Sequence, residues 1–421
     1  MQQKEIFETY ESDVRSYCRN FPTVFTTAVG SIVTDVDGNS YIDFFDGAGA
    51  LNYGHNNPYI KSKVIEYLQG DGIMHWLDMM TAPKAELIKT MEERVLEPRG
   101  LNYKILFPGP TGTNAIEAAL KLARKAKGRS NIWALMGAFH GMTLGAMALT
   151  TDRTDRKAAG ITLDNCTHIP APYMFPELDT IKYMQTLLDD DHSGAEKPAA
   201  LILETVQAEG GIYVLSEEYL RGVREFCDKN DILLIVDDIQ VGCARTGRFF
   251  SFERAGIVPD IVCLSKSIGG IGLPLALCLV KPEYDVLKPG EHNGTFRGNQ
   301  LGFVASKASL DYMLDAKVED GVKEREAVIK SFLEENIVKV YGEKGISVRG
   351  IGCMWGIEMN KNAMSRAVQQ ACFRRGLILE RAGRDDSVVK LMPSLVIPMD
   401  TLKKGLEIVK EAVDEVMAQQ A

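Results

Sequence analysis

From about residue 85 onward, short apolar runs alternate with segments of helical spacing, and few folds accommodate such a chain. The runs are NIWALM, AALILE, ILLIVDD and DIVCLSK, each followed by polar or glycine-rich residues. AELIKTMEERVL and AIEAALKLARKAKG instead carry apolar residues at helical spacing, and Gly128 closes the second as a helix C-cap. A strand that is apolar on both faces must be covered on both. The pattern therefore predicts an α/β fold with a mostly parallel sheet between layers of helices. In such sheets ligands bind beyond the carboxyl ends of the strands, so those ends are where chemistry is to be sought.

The opening segment reads as a helix followed by extended chain, and SIVTDVDGNSYIDFF as two short strands around an Asp37-Gly38-Asn39 turn. Past about residue 305 the pattern changes to long helices, LGFVASKASLDYML and VKEREAVIKSFLEENI. A strand-like set follows in ISVRGIGCMWGIEM, GLILER and VVKLMPSLVI, and then a final amphipathic helix. At 421 residues the chain is too long for one ordinary core. The expected division is an N-terminal segment at 1–48 packing with the small domain, a large domain at 49–305, and a small α+β domain at 306–421.

Composition narrows the class. Hydrophobic residues at 45% and charged residues at 25% suit a soluble globular protein. A net charge of −9 argues against nucleic acid, whose phosphates attract basic faces. The eight cysteines stand singly with no CxxC pair, so neither a zinc knuckle nor a redox dithiol is indicated. They read as buried apolar residues of a reducing compartment. The polar start lacks a secretory apolar core, and no stretch approaches the ~18 apolar residues of a membrane span. A cytoplasmic protein is expected.

At the strand ends, Lys266 follows DIVCLS and precedes Gly269-Gly270, a poor place for a solvated surface charge. An amine with an ordinary pKa of about 10.4 must be perturbed or covalently engaged to act as a nucleophile near neutrality. Asp237 and Asp238 close the most apolar strand, where a carboxylate is costly unless it meets a cation or strong donors. Backbone amides would serve as such donors equally well. Gly109-Pro110-Thr111-Gly112-Thr113-Asn114 leads into a helix, as an anion site or as plain capping by Thr113 or Asn114. Phe139-His140-Gly141 follows NIWALM, where an aromatic ring either stacks on a planar ligand or joins the core. GAGALNYG at 47–54 lacks dinucleotide-loop spacing and reads as a turn near the site. His55, His75 and His292 show no metal-ligand spacing.

Between residues 109 and 299 these features occur in one order: the loop before a helix, aromatic-His-Gly, ETVQAEGG, IVDDIQVGCARTG, PDIVCLSKSIGG and GTFRGN. With that order and spacing the chain resembles the class III (ω-amino) aminotransferases, pyridoxal-phosphate enzymes of fold type I, over essentially its whole length. The resemblance implies a seven-stranded-type sheet in the large domain. It also implies that Lys266 carries the cofactor, Asp237 pairs with its ring nitrogen and Gln240 binds its ring oxygen. Phe139 would stack on the ring, Gly112 and Thr113 would hold the phosphate, and Glu204 of ETVQAEGG would join the cofactor site. Thr295 would reach the phosphate from a neighbouring subunit, so a homodimer or higher homo-oligomer with sites at the interface is expected, and no metal.

Two departures stand out. Ornithine-type members carry an arginine after the aromatic-x-Gly, where this chain has Met142. They carry another near the C-terminus, paired with the glutamate of QxE, where this chain sets Lys390 opposite Glu209. A lysine cannot form an arginine's bidentate fork, so carboxylate recognition must differ in detail. Arg297 is the candidate replacement anchor, with an interface salt bridge as the alternative. Within the family, ESDVRSYCRNFPTVF, IDFFDGAGALNYGHNNP and DGIMHWLDM resemble members that transfer the amino group of L-glutamate to L-aspartate 4-semialdehyde. The implied products are L-2,4-diaminobutyrate and 2-oxoglutarate, the first step of ectoine biosynthesis in osmoadaptation. The alternatives are an ornithine- or GABA-type enzyme, diaminobutyrate formation for a siderophore or antibiotic, an aminomutase, or a silent binding protein.

Overall fold

The structure is a computed structural model and describes residues 3–419. Residues 1–2 and 420–421, the outer ends of the expected N- and C-terminal units, lie outside the described residues. Three strands open the chain: β1 (Phe25–Val29), β2 (Ile32–Asp35) and β3 (Ser40–Asp43). Next come β4 (Lys104–Leu106), β5 (Ile132–Leu135), β6 (Cys166–Ile169) and β7 (Ala200–Leu203), then the short pair β8 (Val206–Gln207) and β9 (Tyr213–Val214). β10 (Leu233–Asp237), β11 (Ile261–Leu264) and β12 (Leu277–Val280) follow. The C-terminal part adds β13 (Ser347–Ile351), β14 (Met354–Glu358), β15 (Leu377–Ile378), β16 (Glu380–Ala382) and β17 (Val388–Leu391).

The central sheet has seven strands in the order β4-β12-β11-β10-β7-β5-β6. β11, β10, β7, β5 and β6 run parallel, and β12 is antiparallel to both its neighbours. The four apolar runs of the sequence form β5, β7, β10 and β11, and every residue of those strands is buried. Covering both faces with helices is what makes continuous apolar strands stable. One face packs with Ala115, Ile116, Ala119 and Leu120 of the helix Gly112–Lys127, and Gly128 ends that helix in the left-handed region at φ 61°. The other face joins a larger core containing Trp133, Leu201, Leu234, Phe249 and Phe303.

β3 pairs in parallel with β15, so the N-terminal strands share a sheet with C-terminal chain. The Asp37–Asn39 turn falls between β2 and β3, where Asp35 Oδ1 accepts the amides of Asp37 and Asn39. β13-β14-β17-β16 forms a further sheet that buries Ile357, Leu391 and Val389 with the final helix Met399–Ala418. Arg245, just after β10, ties these parts together. It is wholly buried and donates to the side chains of Asp46 and Asn52 and to the carbonyls of Cys353 and Pro393. Among the described residues no helix is long and apolar enough to cross a membrane.

Candidate active site

The chain segments just past β5, β7, β10 and β11 meet at one cleft. Lys266 opens a one-turn helix, Lys266–Gly269, directly after β11, with φ at +54°, a conformation that strains a residue bearing a Cβ. Ser265 Oγ donates to Leu275 O and anchors this turn. The Lys266 amine makes no hydrogen bond or ion pair among the described residues. Burial pushes its pKa below the ordinary lysine value, against the raising effect of Glu209.

At the base of the cleft, His140 Nδ1 donates to Asp237 Oδ2 at 2.8 Å, and Asp237 Oδ1 accepts the Ile239 amide at 3.1 Å. Glu204 accepts the amides of Phe139 (3.0 Å) and Ala208 (3.3 Å). Burial pushes the Glu204 carboxyl up to about 7, His140 opposing and Asp237 adding to the shift. His140 Nε2 is buried with no partner among the described residues. Phe139 itself is half-buried.

Beside these lies the helix that begins at Gly112. Its cap is Thr111, whose amide and hydroxyl both donate to Asn114 Oδ1 (3.2 and 2.8 Å). Capping therefore does not use Thr113, and the Gly112 and Thr113 amides, in the first turn, have no intrahelical acceptor. Thr143 Oγ1 donates to Glu117 at 2.5 Å, so the 2.6 Å contact between Thr113 and Thr143 uses the Thr113 proton. Gly141, at φ +128°, brings the chain past β5 so close that a Cβ there would lie 2.6 Å from Thr113 Oγ1.

The opposite wall is built around Lys390 of β17. Its ammonium, wholly buried, donates to Glu209 Oε1 (2.6 Å), Glu380 Oε2 (3.0 Å) and Gln240 Oε1 (3.2 Å). Gln240 Nε2 donates to Glu209 Oε1 (3.1 Å) and to Ala48 O (2.9 Å), so the turn at 47–54 lies against this wall. Burial disfavours charge on Lys390, but the two carboxylates outweigh it and raise its pKa. Glu209 is held below the ordinary value, because Lys390 and Lys266 overcome its burial. Burial and the Glu209 charge push Glu380 up.

Lys266, Glu204, Glu209, Asp237, Gln240 and Lys390 thus come together within one chain. Thr295 and Arg297 stand elsewhere. Thr295 is exposed and its carbonyl accepts from His75 Nε2 at 2.8 Å. Arg297 donates through Nε to Phe107 O at 2.9 Å and sits 3.9 Å from Asp78. Met142 is 47% exposed. Sequence reasoning passed over Glu380, although a carboxylate inside the apolar run GLILER was the available signal. It also assigned no task to His140, whose partner becomes visible only when β5 and β10 are set in one sheet.

An unpartnered lysine amine, free first-turn amides and a buried carboxylate backed by an imidazole fit a planar anionic ligand with a basic ring atom and an amine-reactive group. Pyridoxal phosphate is such a ligand. The class III aminotransferase family model matches residues 15–413. Over 413 residues the chain is 52% identical to a diaminobutyrate–2-oxoglutarate transaminase of Wolinella succinogenes, covering 98% of this chain and 96% of that one. It is 50% identical to a protein of the same name in Sporosarcina pasteurii, covering 99% and 98%. Among solved structures, the ornithine aminotransferase of Toxoplasma gondii superposes with a TM-score of 0.86 at 25% identity, covering 99% and 94%. An S-selective transaminase from Arthrobacter sp. shares the fold, with a TM-score of 0.88 at 22% identity over 99% and 98%.

Proposed function

The chain belongs to the class III aminotransferases, and from that membership we propose that it moves the amino group of L-glutamate to L-aspartate 4-semialdehyde, giving L-2,4-diaminobutyrate and 2-oxoglutarate. The observation that carries the reading is the agreement in name of relatives that are 52% and 50% identical along nearly the whole chain. We assign the reaction to ectoine biosynthesis in the cytoplasm. The cofactor is pyridoxal 5′-phosphate, which when bound supplies an electron sink for the carbon bearing the amino group.

Lys266 is the residue that holds the cofactor covalently. Its Nζ would be the nearest base for the proton on the amino-bearing carbon, and a lysine whose pKa burial has lowered is suited to that exchange. Asp237, backed by His140, is the acceptor for a protonated ring nitrogen. Gln240 serves the ring oxygen, Phe139 the ring face, and Gly112 and Thr113 the phosphate, with Glu204 bracing the Phe139 amide. Glu209 and Lys390 face the rest of the substrate. Paired with Lys390 while glutamate reacts, Glu209 accepts the free α-ammonium when the γ-amino group of diaminobutyrate is the one in play. Arg297, which stands apart from Lys266 within one chain, anchors a substrate carboxylate in a second copy's site, as Thr295 does the phosphate.

The protein works as a homodimer, with Thr295 reaching the phosphate in a second copy's site. Around Thr295 the single chain exposes Trp76 (53%), Met80 (99%) and Phe296 (61%), an apolar surface that a second copy would cover. The test is an absorbance spectrum of the purified protein before and after L-2,4-diaminobutyrate, with ornithine and GABA alongside. Loss of the cofactor's visible band with diaminobutyrate, reversed by 2-oxoglutarate, is expected. A band that answers only to ornithine or GABA overturns the substrate assignment and keeps the family.

A further inference from the structure

Lys390 is the buried cation of the cleft, and its ammonium meets two carboxylates of its own chain, Glu209 at 2.6 Å and Glu380 at 3.0 Å. The two are not held alike. Glu380 and Lys390 are paired directly across β16 and β17, so sheet register sets one opposite the other. Glu209 sits in the turn between β8 and β9, beside Gly210 and Gly211, with a side chain 28% exposed against 10% for Glu380.

We propose that Glu380 is a specificity-determining residue: by keeping Lys390 neutralised, it leaves Glu209 free to receive the non-reacting ammonium of a diamino acid. This rests on the reading above, in which one substrate brings such an ammonium into the cleft. Were Glu209 the only partner, turning it towards substrate would strand a buried ammonium, which is strongly unfavourable. With Glu380 and Gln240 Oε1 in place, Lys390 keeps two acceptors when Glu209 leaves. The charges argue the same way. Lys390 meets two carboxylates where one would pair it, so the other is left for a cationic ligand. While Glu209 stays in place, all three Lys390 protons are engaged.

The experiment is steady-state kinetics of the Glu380→Gln holoenzyme in both directions, with L-2,4-diaminobutyrate and with L-glutamate as amino donors. Glu209 is then the one charged partner left to Lys390. The KM for diaminobutyrate is expected to rise about tenfold or more, the scale of a lost charge-assisted hydrogen bond. The KM for glutamate and both kcat values are expected to stay within about twofold. A purely structural role would lower kcat or raise both KM values together, and either result overturns the proposal, as does an unchanged KM for diaminobutyrate. If Glu380→Gln loses the cofactor's visible band, Glu380→Asp, with its shorter reach to Lys390, carries the test. A smaller rise confined to diaminobutyrate then supports the proposal, and no rise or an equal rise overturns it. No turnover of diaminobutyrate by the unaltered protein would bring down the proposed function, and this inference with it.

Discussion

His140 Nδ1 lies 2.8 Å from Asp237 Oδ2, in a pair whose side chains are 0% and 5% exposed. Burial opposes a charged imidazole there, but the hydrogen bond and charge of Asp237, with Glu204 beyond, raise the His140 pKa above its ordinary value. The hydrogen bond from His140 holds the Asp237 carboxyl in place. His140→Asn should lower kcat about tenfold or more with either amino donor, the scale of a charge-assisted hydrogen bond, and leave KM for glutamate little changed. Steady-state kinetics with both donors decide it, and an unchanged kcat removes His140 from the chemistry.

Lys266→Ala should remove both the visible band of the lysine-bound cofactor and turnover. Proton transfer by a positioned base is alone worth about a hundredfold or more. A variant that stays coloured and active would show that another residue carries the cofactor.

Arg297 reaches Phe107 O through Nε and lies 3.9 Å from Asp78 through one terminal nitrogen, which leaves the other for a substrate carboxylate. Arg297→Ala should raise the KM for glutamate about tenfold, the loss of a charged hydrogen bond, with little change in kcat. An equal KM in variant and parent would return Arg297 to the role of an interface residue near Asp78.

Arg245→Ala should cost about 3–5 kcal/mol of stability, because Asp46, Asn52 and two carbonyls lose a wholly buried donor at once. Asp46→Asn should cost less, since burial has already pushed the Asp46 carboxyl up to about 7 despite Arg245. Denaturant titration of the two variants gives the order, and a greater loss for Asp46→Asn contradicts it.

Burial also pushes the Asp238 carboxyl up to about 7, although Ser251 donates to it through both its hydroxyl and its amide. A carboxyl raised on folding favours the native state most at low pH. Its contribution falls as pH rises from about 3.8 through 7 and is gone above that. Asp238→Asn should therefore narrow the difference in Tm between pH 5 and pH 8. An unchanged difference would mean that Asp238 is already ionised in the native protein at pH 5.

Much of the fold could be read along the chain. Apolar runs of four to six residues became β5, β7, β10 and β11, and Gly128 marked a helix end, because periodicity and φ > 0 preferences are local. The antiparallel β12 went unread, since LALCLV looks the same in either direction. The helix cap fell at Thr111, one residue before Gly112, instead of at Thr113 or Asn114. Which hydroxyl or amide caps depends on where the first turn begins, and Asn114 serves from inside the helix instead.

By itself the sequence determined which segments alternate, and where Lys266, Asp237, Lys390 and the loop before Gly112 fall along the chain. Those are properties of order and spacing, and covalent connectivity preserves them. Only the tertiary structure decided that Lys390 lies between two carboxylates and that Asp237 leans on His140. Glu380 and Lys390 stand ten residues apart in the chain, yet strand register sets them face to face. His140 and Asp237 are 97 residues apart and meet because their strands enter one sheet. A buried charge takes its character from what packs against it, and packing is not written in the spacing of residues along the chain.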